Sequence, residues 1–255
     1  MPESEDPSQF YTGLVADLYE PLASQPTRAE DYVPFLALTG TPALELACGS
    51  GRPLVELVER GYEVEGLDSS EDMLELCRAR AAERGTSVVL HRATMQSFSL
   101  QRRYASIFLA GASFTLLVSD EDAAAALERI HAHLLPGGAA LIPLEIPDES
   151  ALRSALGRSR EVRADDSALL RITPVALEAS EDGRAWSRTL RYERIAPDGS
   201  REVVERTWHT RWWSQAQFTG MLLEAGFEAP SFLAPEGGEA PADASVFVAL
   251  ARRPD

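Results

Sequence analysis

The 255-residue chain is predicted to be an α/β protein with a doubly wound, mostly parallel seven-stranded sheet and an inserted antiparallel three-stranded sheet. Two observations predict this fold. Short apolar segments alternate with helical segments along the first 150 residues or so, which indicates a parallel sheet covered by helices on both faces. Between about 168 and 213, polar and apolar residues alternate around Asp-Gly turns, which is typical of antiparallel hairpins.

The elements of the parallel part follow in order along the chain. Residues 11–38 are predicted to be helical, with interruptions at Pro21 and Pro26. Three later helices are predicted to begin at Ser69, Ser119 and Ser214, whose hydroxyls can accept hydrogen bonds from free backbone N–H groups. The buried strands are predicted at 43–47, 62–68, 87–91, 104–110, 139–146 and 245–253.

The inserted part contains three strand-like runs, and the organisation of the chain is built around it. The runs are separated by the turns "SEDG" and "APDG" and lie at 168–179, 184–195 and 200–213. We expect four regions: an N-terminal helical lid at 1–40, a cofactor-binding α/β core at 41–150, the inserted β cover at 151–213 and the rest of the core at 214–255.

Composition and charge exclude several classes of function. The formal net charge of −16 argues against a nucleic-acid-binding protein, whose affinity would depend on a basic surface. No apolar run approaches the ~20 residues of a membrane span, and two cysteines form no disulfide framework. The acidic first residues lack the pattern of a signal peptide, so a cytoplasmic protein is expected. No metal site is expected.

The stretch "TPALELACGSGRPLVEL", Thr41 to Leu57, is the clearest candidate for a ligand-binding loop. A buried strand runs directly into Gly49-Ser50-Gly51 and then into a helical pattern. Glycine allows a tight turn and a close approach of the backbone to a ligand. Asp68 ends the next predicted strand, and one carboxylate can accept hydrogen bonds from both hydroxyls of a ribose. This pattern predicts a cradle for a small nucleoside cofactor.

Two phosphate-binding loops fit this stretch poorly. A dinucleotide-binding loop would carry a further glycine where Leu54 stands, which disfavours a nicotinamide-dependent oxidoreductase. A Walker loop needs a lysine, and the chain contains none. Glu45 lies inside the predicted strand, an unusual place for a carboxylate. It either turns toward the glycine loop or forms an ion pair at a sheet edge.

Four segments of the chain resemble class I S-adenosylmethionine-dependent methyltransferases. They are "LELACGSG", "VEGLDSSEDML", "LLPGGAALI" and "WSQAQFTGMLLEAGF", and the resemblance covers about 10–150 and 213–251. It implies that Gly49 and Gly51 lie beneath the methionine part of the cofactor, Asp68 binds the ribose and Met73 lies near the adenine. The chain departs from the family at "HRATMQSF", because Thr94 stands where many relatives have aspartate.

The resemblance also implies a wider set of cofactor-binding residues, which are Tyr11, Tyr19, Arg28, Glu45, Ala47, Gly49, Gly51, Asp68, Ser69, Met73, Thr94, Met95, Gln96 and Leu109. Alternatives stay open for several of them. Tyr11 and Tyr19 are eight residues apart, so they are either a lid over the cofactor or part of a helical core. Arg28 either clamps the cofactor's carboxylate or lies on the surface. Asp68 either binds the ribose or caps the following helix.

The resemblance implies methyl transfer to a nitrogen or oxygen atom of a small molecule, such as a natural-product or sugar intermediate. The alternative is a regulatory or assembly protein that binds S-adenosylmethionine without transferring its methyl group. The expected partners are a small-molecule substrate and a second copy of the chain.

His209 is the candidate catalytic base. Of the four histidines, His91 is expected near the adenine side, and His131 and His133 lie on a helix before "PGG" whose C-terminus they can stabilise. Only His209 lies in the inserted cover. Alternation places Thr207, His209, Arg211 and Trp213 on one face of its strand.

Overall fold

The computed structural model describes residues 10–22, 27–235 and 237–255, so Pro26 lies outside the described residues. The helices are α1 (Leu14–Leu22), α2 (Val33–Thr39), α3 (Leu54–Glu59), α4 (Glu71–Glu83), α5 (Asp120–His133), α6 (Glu149–Ala155) and α7 (Gln215–Glu224). The strands are β1 (Ala43–Leu46), β2 (Val64–Asp68), β3 (Val89–Arg92), β4 (Tyr104–Leu109), β5 (Leu134–Glu145), β6 (Arg160–Arg163), β7 (Leu169–Ala179), β8 (Ala185–Ile195), β9 (Arg201–Arg211), β10 (Ser231–Leu233) and β11 (Val246–Arg252).

Internal contacts divide the chain into two units. Of the described residues, the larger unit comprises those of 27–146 and 212–255, and the smaller unit comprises 147–211 together with 10–22. None of the described helices is long and apolar enough to cross a membrane.

The larger unit contains a seven-stranded sheet in the order β10-β11-β5-β4-β1-β2-β3. Its strands are parallel except β11, which is antiparallel to β5, and β10, which is antiparallel to β11. The predicted mostly parallel seven-stranded sheet is therefore confirmed. The sequence did not locate β10, because three residues give no periodic signal.

Each face of this sheet packs in its own apolar cluster, because successive side chains of a strand point to opposite faces. Leu44 and Leu46 of β1 lie in the cluster that includes residues of α5 and α7. Ala43 lies in the other cluster, with residues of α2, α3 and α4. The strands are buried on both sides, as the apolar runs predict.

The smaller unit contains a four-stranded antiparallel sheet in the order β6-β7-β8-β9, so the prediction of three strands was wrong. The missed strand is β6, whose sequence "REVR" carries too many charges to show an apolar face. The last predicted run also ends too late, because β9 stops at Arg211. Trp213 does not share a strand face with His209. It is buried in the larger unit, where its indole Nε1 donates to Asp120 at 2.8 Å.

The two faces of the smaller sheet differ in chemistry. On one face, Leu14 and Leu18 of α1 pack in a cluster with Leu170, Leu190 and Tyr192 of the sheet. The other face carries polar pairs between neighbouring strands, which are Arg171–Glu161, Arg171–Glu193, Arg191–Glu205, Thr189–Thr207 and Ser187–His209. One apolar face is enough to hold an antiparallel sheet, which explains the alternation in the sequence.

Two of the three predicted helix starts are confirmed. The Ser119 hydroxyl accepts from the backbone N–H of Asp122 at 3.0 Å, and Ser214 forms a complete capping box with Gln217. The prediction for Ser69 was wrong by one residue. Ser70 is the cap and accepts from the backbone N–H of Met73 at 3.2 Å.

Candidate cofactor-binding site

The loop after β1 is shaped by left-handed backbone conformations. The φ angles of Ala47, Gly49 and Gly51 are 53°, 53° and 86°. A Cβ atom on Gly51 would lie 2.6 Å from the Cys77 sulfur, so only glycine fits there. Ala47 has a Cβ atom, so its left-handed backbone conformation is strained. Such backbone strain is common at functional sites.

Asp68 ties this loop to the end of β2. Its Oδ2 accepts from the backbone N–H of Gly49 at 2.8 Å, and its Oδ1 accepts from the backbone N–H of Ser70 at 2.9 Å. Asp68 therefore contacts the start of α4, as the capping alternative expects, but each oxygen still has acceptor capacity for a ligand hydroxyl. Burial raises the pKa of Asp68, and the bonds from backbone N–H groups offset part of that rise.

Glu45 lies on β1 beneath the same loop and is completely buried. Both carboxyl oxygens lack a hydrogen-bond partner among the described residues. The backbone N–H of Leu54 faces the carboxyl group without completing a hydrogen bond. Burial raises the pKa of Glu45 well above its usual range, and the nearby Cys77 and Asp68 raise it further. The alternative of an edge ion pair was wrong, since β1 lies between β2 and β4.

The loop after β3 lies next to Asp68. The backbone N–H of Ala93 donates to the Asp68 carbonyl at 3.0 Å, which places the following residues at the end of β2. Thr94, Met95 and Gln96 are half-buried there. The Thr94 hydroxyl is 2.6 Å from the Ser97 hydroxyl.

Three further predicted residues also lie at or near this loop, in different environments. Ser69 is half-buried between Asp68 and the Ser70 cap. Met73 is buried, and its Cε would lie 3.3 Å from a Cβ on Gly49. Leu109 ends β4 beside Leu46, but its side chain is fully buried in an apolar cluster. Only the backbone of Leu109 is therefore available to a ligand.

Three of the other predicted residues lie in other surroundings. Tyr11 and Tyr19 belong to the smaller unit, where their rings meet edge to face at 5.3 Å between centroids. Arg28 has a side chain that is 67% exposed and forms an ion pair with Asp31 at 3.5 Å. Tyr11 packs against the apolar cluster of that unit, which agrees with its core alternative, whereas Tyr19 is 38% exposed. The ion pair of Arg28 agrees with its surface alternative. Their roles toward a cofactor stay predictions.

The histidines have separate surroundings. His209 lies on β9 in the smaller unit, where its Nδ1 is 2.8 Å from the Ser187 hydroxyl. His133 is buried at the end of α5, where Nδ1 donates to the carbonyl of Arg129 at 2.7 Å and Nε2 accepts from a backbone N–H. His133 thus contacts a carbonyl in the last turn of its helix, and its contribution to the stability of that C-terminus stays a prediction. His91 contacts Glu65.

Three residues of this site escaped the sequence analysis. A Cβ on Gly66 of β2 would lie 2.6 Å from Leu54 and 2.8 Å from the Cys48 sulfur, so this glycine lets α3 and the loop approach the sheet. The guanidinium Nε of Arg80 donates to the Ser50 carbonyl at 2.9 Å. The Tyr32 ring packs on Phe108, and its pKa is raised by burial and by the Glu45 carboxyl. A glycine inside a strand is a known signal of close approach, but the other two residues gave none.

Together these features define a nucleoside-binding α/β protein. The glycine loop leaves room for a ligand, Asp68 has free acceptor capacity, and Glu45 is a buried acid without a partner. This set of groups fits a cofactor that joins a nucleoside to a cationic amino-acid part. It offers no lysine for a phosphate.

The comparison with protein families specifies the class. A family model for a methyltransferase domain matches residues 43–138, which span β1 to the beginning of β5. The chain is therefore an S-adenosylmethionine-dependent methyltransferase, and S-adenosylmethionine is its cofactor. Two of its relatives from Streptomyces are N,N-dimethyltransferases of dTDP-linked amino sugars.

Individual relatives cover most of the chain. It is 28% identical over 231 residues to a dTDP-3-amino-3,6-dideoxy-alpha-D-glucopyranose N,N-dimethyltransferase of Streptomyces fradiae, covering 86% of each chain. Among solved structures, the CcbJ methyltransferase from Streptomyces caelestis matches 98% of this chain and 100% of its own, with a TM-score of 0.77 and 22% identity. The sugar N-methyltransferase KedS8 from a Streptoalloteichus species matches 96% and 94%, with a TM-score of 0.71 and 22% identity. The two structures share the fold.

Proposed function

We propose that the chain methylates the amino group of an amino sugar carried on a nucleotide, during the synthesis of a natural product. The observation that carries this proposal is the match to the Streptomyces fradiae dimethyltransferase along 86% of both chains. The match extends through the inserted β-sheet as well as the cofactor-binding core. It therefore supports a shared acceptor class better than a match to the core alone would.

The residues of the chain have three tasks in this reaction. When bound, S-adenosylmethionine supplies a methyl group that its sulfonium already activates. The glycine loop holds the methionine part of the cofactor and Asp68 holds the ribose, so that the position of the methyl is fixed. The acceptor amine must be held in line and must lose one proton for each methyl gained.

A substrate panel tests the acceptor class. The purified protein is incubated with S-adenosylmethionine and a nucleotide-linked amino sugar, and with the matching sugar that has a hydroxyl in place of the amine. Mass spectrometry should detect one and then two methyl gains on the amine and none on the hydroxyl. Methylation of the hydroxyl sugar, or of neither, would contradict the proposal. Tight cofactor binding without methyl gain on any acceptor would favour the regulatory alternative.

We also propose that Asp68 binds the ribose. Asp68→Ala should weaken binding by about 1.5–3 kcal/mol, the usual contribution of hydrogen bonds to a charged group. Because Asp68 also tethers Gly49, the decisive comparison uses an analogue that lacks the ribose hydroxyls. In the natural protein, calorimetry should find that this analogue binds more weakly than the cofactor. In the Asp68→Ala variant, the analogue and the cofactor should bind equally well. Equal losses in both proteins would remove Asp68 from the ribose site.

His209 is proposed as the base that accepts the proton. A neutral imidazole ring can accept a proton from an ammonium or hydroxyl group that is being methylated. His209→Ala should leave cofactor affinity unchanged and lower turnover about a hundredfold or more. His131→Gln is the control, because His131 lies on α5 and packs against Phe227. A loss of less than about threefold for His209→Ala would mean that the proton leaves through water.

The inserted sheet is proposed to determine the acceptor and to join two subunits. The strand β9 is an edge strand that pairs only with β8 among the described residues, and its Val203 side chain is 51% exposed. Replacing the hairpins with short loops should preserve cofactor binding and abolish methyl transfer. Light scattering should then report a monomer in place of a dimer. Full transfer by the shortened protein would exclude the insert as the acceptor-binding part.

A further inference from the structure

Glu45 has a property that cofactor binding alone does not require, since it is an acid buried without any partner. We propose that Glu45 carries a proton in the cofactor-free protein and releases it to solvent when the cationic cofactor binds, so that binding is coupled to pH. This inference rests on the proposed cofactor role of the glycine loop. It names a proton-binding site on β1, beneath that loop.

The geometry around Glu45 leaves the ionised form without stabilisation. Its carboxyl group is fully buried, and neither oxygen has a hydrogen-bond partner among the described residues. An ionised carboxylate in such a place is far more costly than a neutral acid, because nothing replaces its lost hydration. The neighbouring strands contribute only Gly66 and Phe108 at the level of Glu45.

The groups that face Glu45 do not compensate its charge. Asp68 from the end of β2 and Cys77 from α4 both disfavour ionisation of Glu45. Cys48 in the loop and Tyr32 before α2 are the other titratable neighbours, and neither is a cation. The single favourable group is the backbone N–H of Leu54. No arginine side chain is paired with Glu45 among the described residues.

A cationic ligand reverses this balance. S-adenosylmethionine carries a sulfonium and an ammonium group, and a positive charge close to a buried carboxyl favours its ionised form. The proton of the Glu45 carboxyl then passes to the buffer and leaves a carboxylate opposite the bound cation. Binding therefore becomes tighter as the pH rises, until Glu45 is ionised in the free protein as well.

Calorimetry in two buffers of different ionisation enthalpy, such as phosphate and imidazole, counts the released protons directly. At about pH 6 the ligand's own α-amino group, with a reference pKa of ~7.7–8.0, stays protonated and contributes nothing. The natural protein should release close to one proton per bound S-adenosylmethionine. Glu45→Gln should release almost none, and its affinity should no longer change tenfold per pH unit.

The matched control is Glu65→Gln, because Glu65 is also a buried glutamate but has three side-chain partners. This variant should release the same number of protons as the natural protein. Asp68→Asn tests the other buried carboxyl in the site. Loss of proton release in Asp68→Asn, with release retained in Glu45→Gln, would assign the proton to Asp68 and overturn the proposal.

The neutral-sulfur product S-adenosylhomocysteine separates the two charges of the ligand. Proton release with both ligands would identify the shared ammonium group as the partner of Glu45, whereas release with S-adenosylmethionine alone would identify the sulfonium. Binding without proton release to the natural protein would refute this inference and leave the cofactor role intact. Absence of binding by either ligand would refute the cofactor role itself.

Discussion

Glu45 and Glu65 lie on the neighbouring strands β1 and β2, one residue apart in register, and both are buried. Glu65 accepts from Arg102 at 2.6 Å and from the Tyr104 hydroxyl at 2.8 Å, and it lies 2.7 Å from His91 Nε2. Burial acts to raise the pKa of Glu65, but these three contacts together hold it below its ordinary value. Glu45 has none of these contacts, and its pKa is raised.

The difference follows from the face of the sheet on which each side chain lies. Gly66, next to Glu65 in sequence, faces Leu54 and Cys48, so Glu65 points to the opposite face, where Tyr104 belongs to the other apolar cluster. The chain thus provides partners for one buried carboxyl and leaves the other for a ligand. A buried carboxyl group with hydrogen-bond partners indicates a structural role, whereas a buried carboxyl group without partners indicates a functional site.

The largest expected effect comes from breaking the paired glutamate. Glu65→Ala should lower the free energy of unfolding by about 2–4 kcal/mol, because it leaves the Tyr104 and Arg102 groups without their acceptor. Chemical denaturation measures the loss. Glu63→Ala is the control, since Glu63 pairs with the same arginine at the exposed surface, and its loss should stay below about 1 kcal/mol. Equal losses would mean that burial of Glu65 adds nothing.

A second expected effect is the opposite pH dependence of the two acids. The lowered pKa of Glu65 adds stability above the unfolded value of ~4.3, and this stability is lost as the pH falls. The raised pKa of Glu45 makes the folded protein less stable as the pH rises above ~4.3. Glu45→Gln removes this loss. The free energy of unfolding of the variant should therefore rise relative to that of the natural protein by up to about 1.4 kcal/mol for each pH unit in that range.

Denaturation of both proteins between pH 4.5 and 8, without cofactor, would measure this difference. Parallel stability curves for Glu45→Gln and the natural protein would show that Glu45 is already ionised. The contrast between a raised pKa of Glu45 and a lowered pKa of Glu65 would then be wrong.

The smallest expected effect is the removal of one partner of Glu65. Tyr104→Phe keeps the ring and deletes only the hydroxyl that donates to Glu65, so it should cost about 1 kcal/mol. Because Arg102 still pairs with Glu65, the variant should remain folded at neutral pH. Its acid-unfolding midpoint should shift to higher pH. An unchanged midpoint would show that the tyrosine does not contribute to the pKa of Glu65.

The sequence predicted the parts of the fold that have a periodic or local signal. The apolar runs located β1, β2, β4 and β5, and Ser119 and Ser214 marked their helices. Charged β6 and three-residue β10 lack such signals and were missed. The sequence analysis chose Ser69 as the helix cap instead of Ser70. Local sequence hardly distinguishes the two serines, because both follow Asp68 and precede acidic residues.

The candidate site was predictable to a similar extent. Gly49, Gly51 and Asp68 carry their signal locally, and the structure brings them together. Arg80 and Tyr32 reach the site from other elements, through contacts that arise only on folding. Sequence patterns also could not reveal that Glu45 lacks a partner, since this depends on the arrangement of β2, α3 and α4 around it.

The packing of α1 on the smaller sheet has a consequence for how such enzymes recombine. The segment 147–211 is continuous in sequence, so it could be exchanged between related enzymes as one cassette. However, Phe10, Leu14 and Leu18 lie outside this segment and fill the apolar face of its sheet. A chimaera that exchanges the cassette alone would join a foreign sheet to a resident helix with mismatched side chains. A successful graft must carry both the cassette and α1. These two distant stretches of the gene are therefore expected to be exchanged together and to vary together.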